Sequence, residues 1–133
     1  WSLYSRGKEA WPLPITYDEV RAFAFALPLV ADGTSYGYPC LKANGKFLTR
    51  LKEDGDSLVL PGVPFDEREM LVEAAPEVFY FTDHYRNYPM VLARLSMAEA
   101  GTVKRMLERH WRACVPKKVA RAHDERGQAP ISG

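Results

Sequence analysis

No apolar run in this 133-residue sequence is long enough to cross a membrane: the longest, Ala22 to Ala31, is interrupted by Pro28, and a spanning helix needs about 20 apolar residues. The sequence also opens on the polar stretch Ser5-Arg6-Gly7-Lys8-Glu9 with no apolar segment before it, so no secretory leader is expected. Cysteine is scarce. Cys40 and Cys114 form no CxxC and lie near no histidine at ligand spacing, which argues against a zinc site or a redox dithiol and for two buried free thiols. Excess charge of one sign is missing as well, since 18 Lys and Arg oppose 17 Asp and Glu; a nucleic-acid-binding domain usually has a pI above about 9. Catalytic signatures are absent too: there is no P-loop, GxGxxG, HExxH or serine elbow, and His84, His110 and His123 are scattered. No enzymatic activity, cofactor or metal is expected. What remains, 47% hydrophobic and 26% charged residues, suits one globular domain in the cytoplasm and excludes disorder, collagen and coiled coil.

Residues 1–14 carry Trp1, Tyr4 and Trp11 without a period and read as an extension to a single domain over 15–123, with 124–133 a flexible tail. Thr16-Tyr17-Asp18-Glu19 has the form of a capping box, and Val20, Phe23, Ala24 and Leu27 follow at helical spacing, so the first helix is expected over 17–27. From Thr34 the period becomes two. A strand ending near Leu41, the turn pair Asn44-Gly45, a return strand Lys46–Lys52 and a third strand Ser57–Leu60 predict an antiparallel meander. Asp66-Glu67-Arg68-Glu69 predicts a second capped helix with Met70, Leu71 and Ala74 inward; Val78–Thr82 and Met90–Leu95 predict strands four and five. Ser96-Met97-Ala98-Glu99 predicts a third cap, before the apolar stripe Val103, Met106, Leu107, His110, Trp111 and Cys114. Pro116 starts a short last helix, Lys117–His123. The expected fold is α+β, one five-stranded antiparallel sheet with helices on one side, in the order α-β-β-β-α-β-β-α-α.

The balanced total hides segregation. Residues 53–79 hold eight acids and one base, Arg68, whereas Lys42, Lys46, Arg50 and Lys52 face no acid within 42–52. Residues 104–121 hold seven bases and one acid, Glu108. A period of two would put Lys46, Arg50 and Lys52 on one sheet face about 7 Å apart; such a stripe either tracks a phosphate backbone or is the solvated face of a one-sided sheet. Lys117 and Lys118 sit at a helix start, where cations are unfavourable and a phosphate would meet oriented N–H groups. The loop His84-Tyr85-Arg86-Asn87-Tyr88-Pro89 combines an imidazole, two phenols and a guanidinium, either to stack on bases and grip phosphate or to fold back on the core.

The run Thr34–Phe47, the segment His84–Pro89, and Trp111-Arg112 with Pro116-Lys117-Lys118 resemble the MmcQ/YjbR-like family over residues 15–123. That resemblance implies a small bacterial α+β domain with a double-wing, DNA-binding fold, its wings the hairpin around Asn44-Gly45 and the loop 84–89. The expectation is therefore a non-enzymatic DNA-binding protein of low specificity and modest affinity, with Lys42, Lys46, Arg50, Lys52, His84, Tyr85, Arg86, Tyr88, Lys117 and Lys118 as DNA contacts. The alternative is a protein-interaction or chaperone-like module, acting as a homodimer or on a partner.

Overall fold

The computed structural model describes residues 14–132, with side chains through Arg126; the expected extension lies, but for Pro14, outside the described residues. Helix α1, Tyr17–Phe25, is capped as its sequence indicates: the Thr16 hydroxyl accepts from Glu19 N–H and the Glu19 carboxylate accepts from Thr16 N–H at 2.9 Å.

Six strands, rather than five, form two sheets rather than one. The first sheet is the meander β1 (Val30–Ser35), β2 (Tyr38–Ala43) and β3 (Lys46–Thr49); the second sets β4 (Ser57–Pro61) and β5 (Phe79–Tyr80) on either side of β6 (Met90–Arg94). All pairings are antiparallel. The single strand expected from Thr34 to Leu41 is a hairpin folded at Tyr36-Gly37, whose φ angles are +51° and +84°. Tyrosine is not a turn residue, so this bend carries no compositional signal. Asn44-Gly45, at +55° and +80°, makes the second hairpin as expected.

The sheets part where β3 ends. Leu41 pairs with Thr49 but Lys42 with Phe47, so Leu48 is an extra, bulged residue and both Leu48 and Thr49 are fully buried. The Thr49 hydroxyl donates to the Val59 carbonyl, and beyond it the two sheets share the isolated bridge Leu51–Leu58. Lys46, Leu48, Arg50 and Lys52 therefore do not lie in one stripe. The acids after the bulge fasten the corner. Asp54 accepts from the N–H groups of Asp56 and Ser57, and the Asp56 carboxylate accepts from the N–H and hydroxyl of Ser96.

Helix α2, Phe65–Ala74, begins after Pro64 without a side-chain cap, so the expected box at Asp66 does not form. Its buried residue is Arg68; Met70 and Ala74, expected inward, are exposed, and Leu71 is half-buried. A short 3-10 turn, Asp83–Tyr85, leads toward β6. Helix α3, Ala100–Cys114, has Glu99 at its N-cap with no side-chain bond, so the box at Ser96 is also absent. Helix α4, Lys117–Ser132, continues past the expected end at His123.

The apolar faces of α1 and α3 meet both sheets. Leu58, Leu60, Val91 and Ala93 pack with Val20, Val103 and Leu107, while Leu41, Ala43 and Leu48 pack with Ala24, Leu27 and Trp111. Trp111 has no exposed surface, and its indole N–H donates to the Pro28 carbonyl at 2.8 Å. At the free edge of the first sheet, Asp32 of β1 is paired with Arg21 of α1 at 2.7 Å.

His110 hydrogen-bonds the Phe47 carbonyl at 3.0 Å, and a Cβ at Gly62 would come within 2.8 Å of its Nδ1. Burial pushes the His110 pKa below the usual imidazole value, with Arg109 adding to the effect and the Phe47 bond opposing it. Asp54 is pulled down to about 2 by the Asp56 N–H, then by the Ser57 hydroxyl and N–H. Both depressed values mean that the unfolded chain binds protons first, so both contributions to stability are full at neutral pH. The His110 share is lost as pH falls below 6.5 through its folded value, and the Asp54 share as pH falls from 3.8 through about 2. Urea titrations across pH are expected to show these two separate losses, with His110→Gln removing the upper one; a flat profile from pH 7.5 to 5 contradicts the histidine assignment.

Candidate functional site

The side of the sheets away from α1 and α3 gathers cations and aromatic rings. Strand register puts Tyr38, Cys40 and Lys42 on one face of β2, with Phe47 of β3 opposite Lys42. The alkyl stem of Lys42 lies over Gly33, where a Cβ would meet its Cδ at 2.9 Å. Because the bulge restores alternation one residue late, Arg50 and Lys52 rejoin this face. The Arg50 guanidinium stands 4.5 Å from the Tyr38 ring and the Lys52 ammonium 5.3 Å from the Tyr85 ring. Arg94 covers the Tyr80 ring at 4.1 Å on the same side of the second sheet. Glu53 stands 3.7 Å from the Arg50 guanidinium.

The loop 84–89 joins the face through Arg68. From α2 its guanidinium donates to the carbonyls of Tyr85, Arg86, Tyr88 and Met90 at 2.8–3.2 Å. Its plane is flanked by Phe81 at 3.8 Å and Phe65 at 4.9 Å. Arg68 is 5% exposed and its Nε has no acceptor among the described residues. Four carbonyl dipoles and two ring faces therefore replace the carboxylate that a buried cation normally requires. This clasp turns Tyr85 inward onto Val59, Met90 and Leu92, together with Phe47 and Tyr80.

The ten residues anticipated as DNA contacts fall into distinct groups. Lys42, Arg50, Lys52 and Tyr85 share the sheet face. His84 stands edge-on to Tyr85 at 4.7 Å and is exposed, and Tyr88 is exposed beside the clasp. Arg86 is exposed but engaged by Asp83 at 2.6 Å. Lys46, Lys117 and Lys118 belong instead to the α3–α4 corner, where Asn44 Nδ2 donates to the Cys114 carbonyl; Lys46 is roughly 13 Å from Arg50 along the strand. Apart from Lys104, which stands 5.8 Å from the Phe23 ring, the bases of helix α3 face acids. Arg105 faces Glu99, Arg109 makes a two-pronged bond with Glu67 at 3.0 Å, and Arg112 bonds Glu108 and Asp124.

Arg68 is the site residue that sequence reasoning passed over. It was visible as the lone base in an acidic stretch, and at i−3 and i−4 from Leu71 and Val72 it lies on the half-apolar face of its helix. Tyr36, Tyr38 and Arg94 gave less signal, since nothing in their spacing distinguishes them from ordinary strand residues. Among the described residues no three His, Cys, Asp or Glu side chains converge as a metal site, and no helix is long and apolar enough to cross a membrane.

The chain is similar to the uncharacterized proteins Rv2570 of Mycobacterium tuberculosis and Mb2600 of Mycobacterium bovis, each 26% identical over 121 residues, covering 80% of this chain and 94% of theirs. No family model and no solved structure matches the chain significantly.

Proposed function

We propose that this is a non-enzymatic, cytoplasmic DNA-binding protein of low sequence specificity that uses the cationic, aromatic face of its two sheets. The observation that carries this reading is the placement of Lys52 over Tyr85, which puts the end of the bulged hairpin and the 84–89 loop on one surface. Lys42 and Lys52 supply phosphate contacts there, Arg50, whose side chain is 11% exposed, adds positive charge behind them, and Tyr38 and Tyr85 supply ring surface. The resemblance of residues 15–123 to the MmcQ/YjbR-like domain supports the same assignment. Lys117, Lys118 and Lys46 form a secondary basic corner. With about two phosphate contacts the affinity is modest, roughly 10⁻⁴–10⁻⁶ M at physiological salt, and log K falls against log salt with a slope of about −2.

Fluorescence anisotropy with a labelled oligonucleotide over a salt series tests this. Lys42→Gln/Lys52→Gln is expected to flatten the slope toward zero. No binding at low salt, or binding insensitive to salt, overturns the proposal.

A protein-interaction role is favoured by one separate feature, a groove of about 390 Å³ lined by Pro28, Leu29, Val119 and Ala122 and flanked by Lys118 and Arg126. Leu29 is half exposed there. Concentration-dependent self-association lost in Leu29→Asp would favour that reading over DNA binding.

A further inference from the structure

Tyr36 occupies the first position of the β1–β2 turn with φ +51°. That left-handed conformation suits asparagine or glycine and is strained for a bulky side chain. The equivalent position of the β2–β3 turn holds Asn44, whose side chain ties that turn to α3. Tyr36 does no such structural work: it is 99% exposed. A Cβ built on the neighbouring Gly37 would likewise meet nothing within 4 Å among the described residues. The ring thus occupies an unfavourable backbone position without burying apolar surface in exchange. Directly behind it come Tyr38, 44% exposed, and the Arg50 guanidinium over the Tyr38 ring.

A free aromatic tip leading into a cationic face has the parts needed to take an unpaired base and hold its phosphate. We infer that Tyr36 is a base-stacking residue for single-stranded DNA, with the cationic face behind it engaging phosphate. This deepens the proposed function and rests on it. A duplex keeps its bases stacked and offers Tyr36 only groove edges, whereas a single strand offers a ring face, and base–aromatic stacking is sequence-tolerant because every base has one.

The full chain should be titrated by anisotropy with a labelled oligothymidylate of about 12 nucleotides, an abasic strand of equal length, and a duplex. The unsubstituted protein is expected to prefer oligothymidylate over the other two. Tyr36→Asn is expected to weaken oligothymidylate binding roughly 5- to 150-fold, with little effect on the abasic strand, and Tyr36→Trp to restore it. The melting temperature of Tyr36→Asn should be equal or higher, because asparagine suits the turn. If Tyr36→Asn binds oligothymidylate as the unsubstituted protein does, if the duplex or the abasic strand binds as tightly, or if Tyr36→Asn melts lower, the stacking role is overturned while DNA binding can still stand. If the unsubstituted protein binds none of the three, DNA binding itself falls.

Discussion

Replacing Arg68 by methionine is expected to cost about 2–4 kcal/mol of stability, read as a lowered urea midpoint, even though a buried charge is removed. Burying a guanidinium is unfavourable in itself, and its Nε lacks an acceptor among the described residues, so an apolar residue of similar length recovers part of the loss. The larger effect lies in the carbonyls left behind. Those of Tyr85 and Tyr88 still accept main-chain N–H groups from Tyr88 and Met90, but all four lose a charged donor at once, and buried acceptors without partners cost about 1–3 kcal/mol each. Lysine is expected to be a poor substitute, because a point charge with three donors cannot stack between Phe65 and Phe81 while serving four carbonyls. The damage should concentrate in 83–90, where hydrogen exchange rises most. Tyr85 then loses its fixed place beneath Lys52, and affinity for DNA should fall although none of the proposed phosphate contacts has been altered. An Arg68→Met protein within 0.5 kcal/mol of the unsubstituted chain, with unchanged exchange in 83–90, contradicts the clasp.

Trp111→Ala is expected to be more severe, at about 3–5 kcal/mol, the range for deleting a fully buried aromatic side chain. The indole joins Ala24 of α1 and Leu27 just beyond it to Leu41 and Leu48 of the first sheet, and its ring stands 5.2 Å from the His123 ring at a steep angle. Its N–H also anchors the Pro28 carbonyl beside Leu29, a non-glycine residue at φ +67° that turns the chain from α1 into β1. Trp111→Phe separates the terms: it keeps most of the apolar volume and loses the hydrogen bond, so roughly 1–2 kcal/mol is expected. Domains of this size have about 5–15 kcal/mol in total, so the alanine variant should be marginal at 37 °C. Chemical denaturation of the two variants side by side decides whether packing or the indole bond dominates; equal losses would contradict the packing account.

Helices were legible wherever an apolar stripe and a Pro boundary coincided, as for Val20 to Leu27 and Val103 to Cys114. Caps were less so. Asp66 and Ser96 have the right spacing, yet helix entry is set by Pro64 and by the bond of Asp56 to Ser96, which engages that serine elsewhere. The sheet misled for a specific reason. The alternation Phe47, Thr49, Leu51 looks identical with or without a bulge, and the pairing register together with the burial of both Leu48 and Thr49 reveals the extra residue. Tyr36-Gly37 concealed a hairpin because its tyrosine is there against local preference. At the candidate site, sequence supplied the cations and rings, and long-range contacts decided which meet. Lys46 left the group and Arg68 entered it.

The pairing of Asp32 with Arg21 bears on how the molecule stays apart from its own copies. Among the described residues strand β1 is paired on one side only, and six extended residues offering open main-chain donors and acceptors are a template onto which another chain can add. β5, at the corresponding border of the second sheet, has only two residues and offers no such length. Asp32, at the middle of β1, fixes a carboxylate on the helix-facing side of that edge, and Arg21 holds it there. A register-matched copy would have to desolvate or displace that ion pair. The longest open border of the fold is thus guarded by an ion pair, and association of chains through this sheet is disfavoured while that pair is intact.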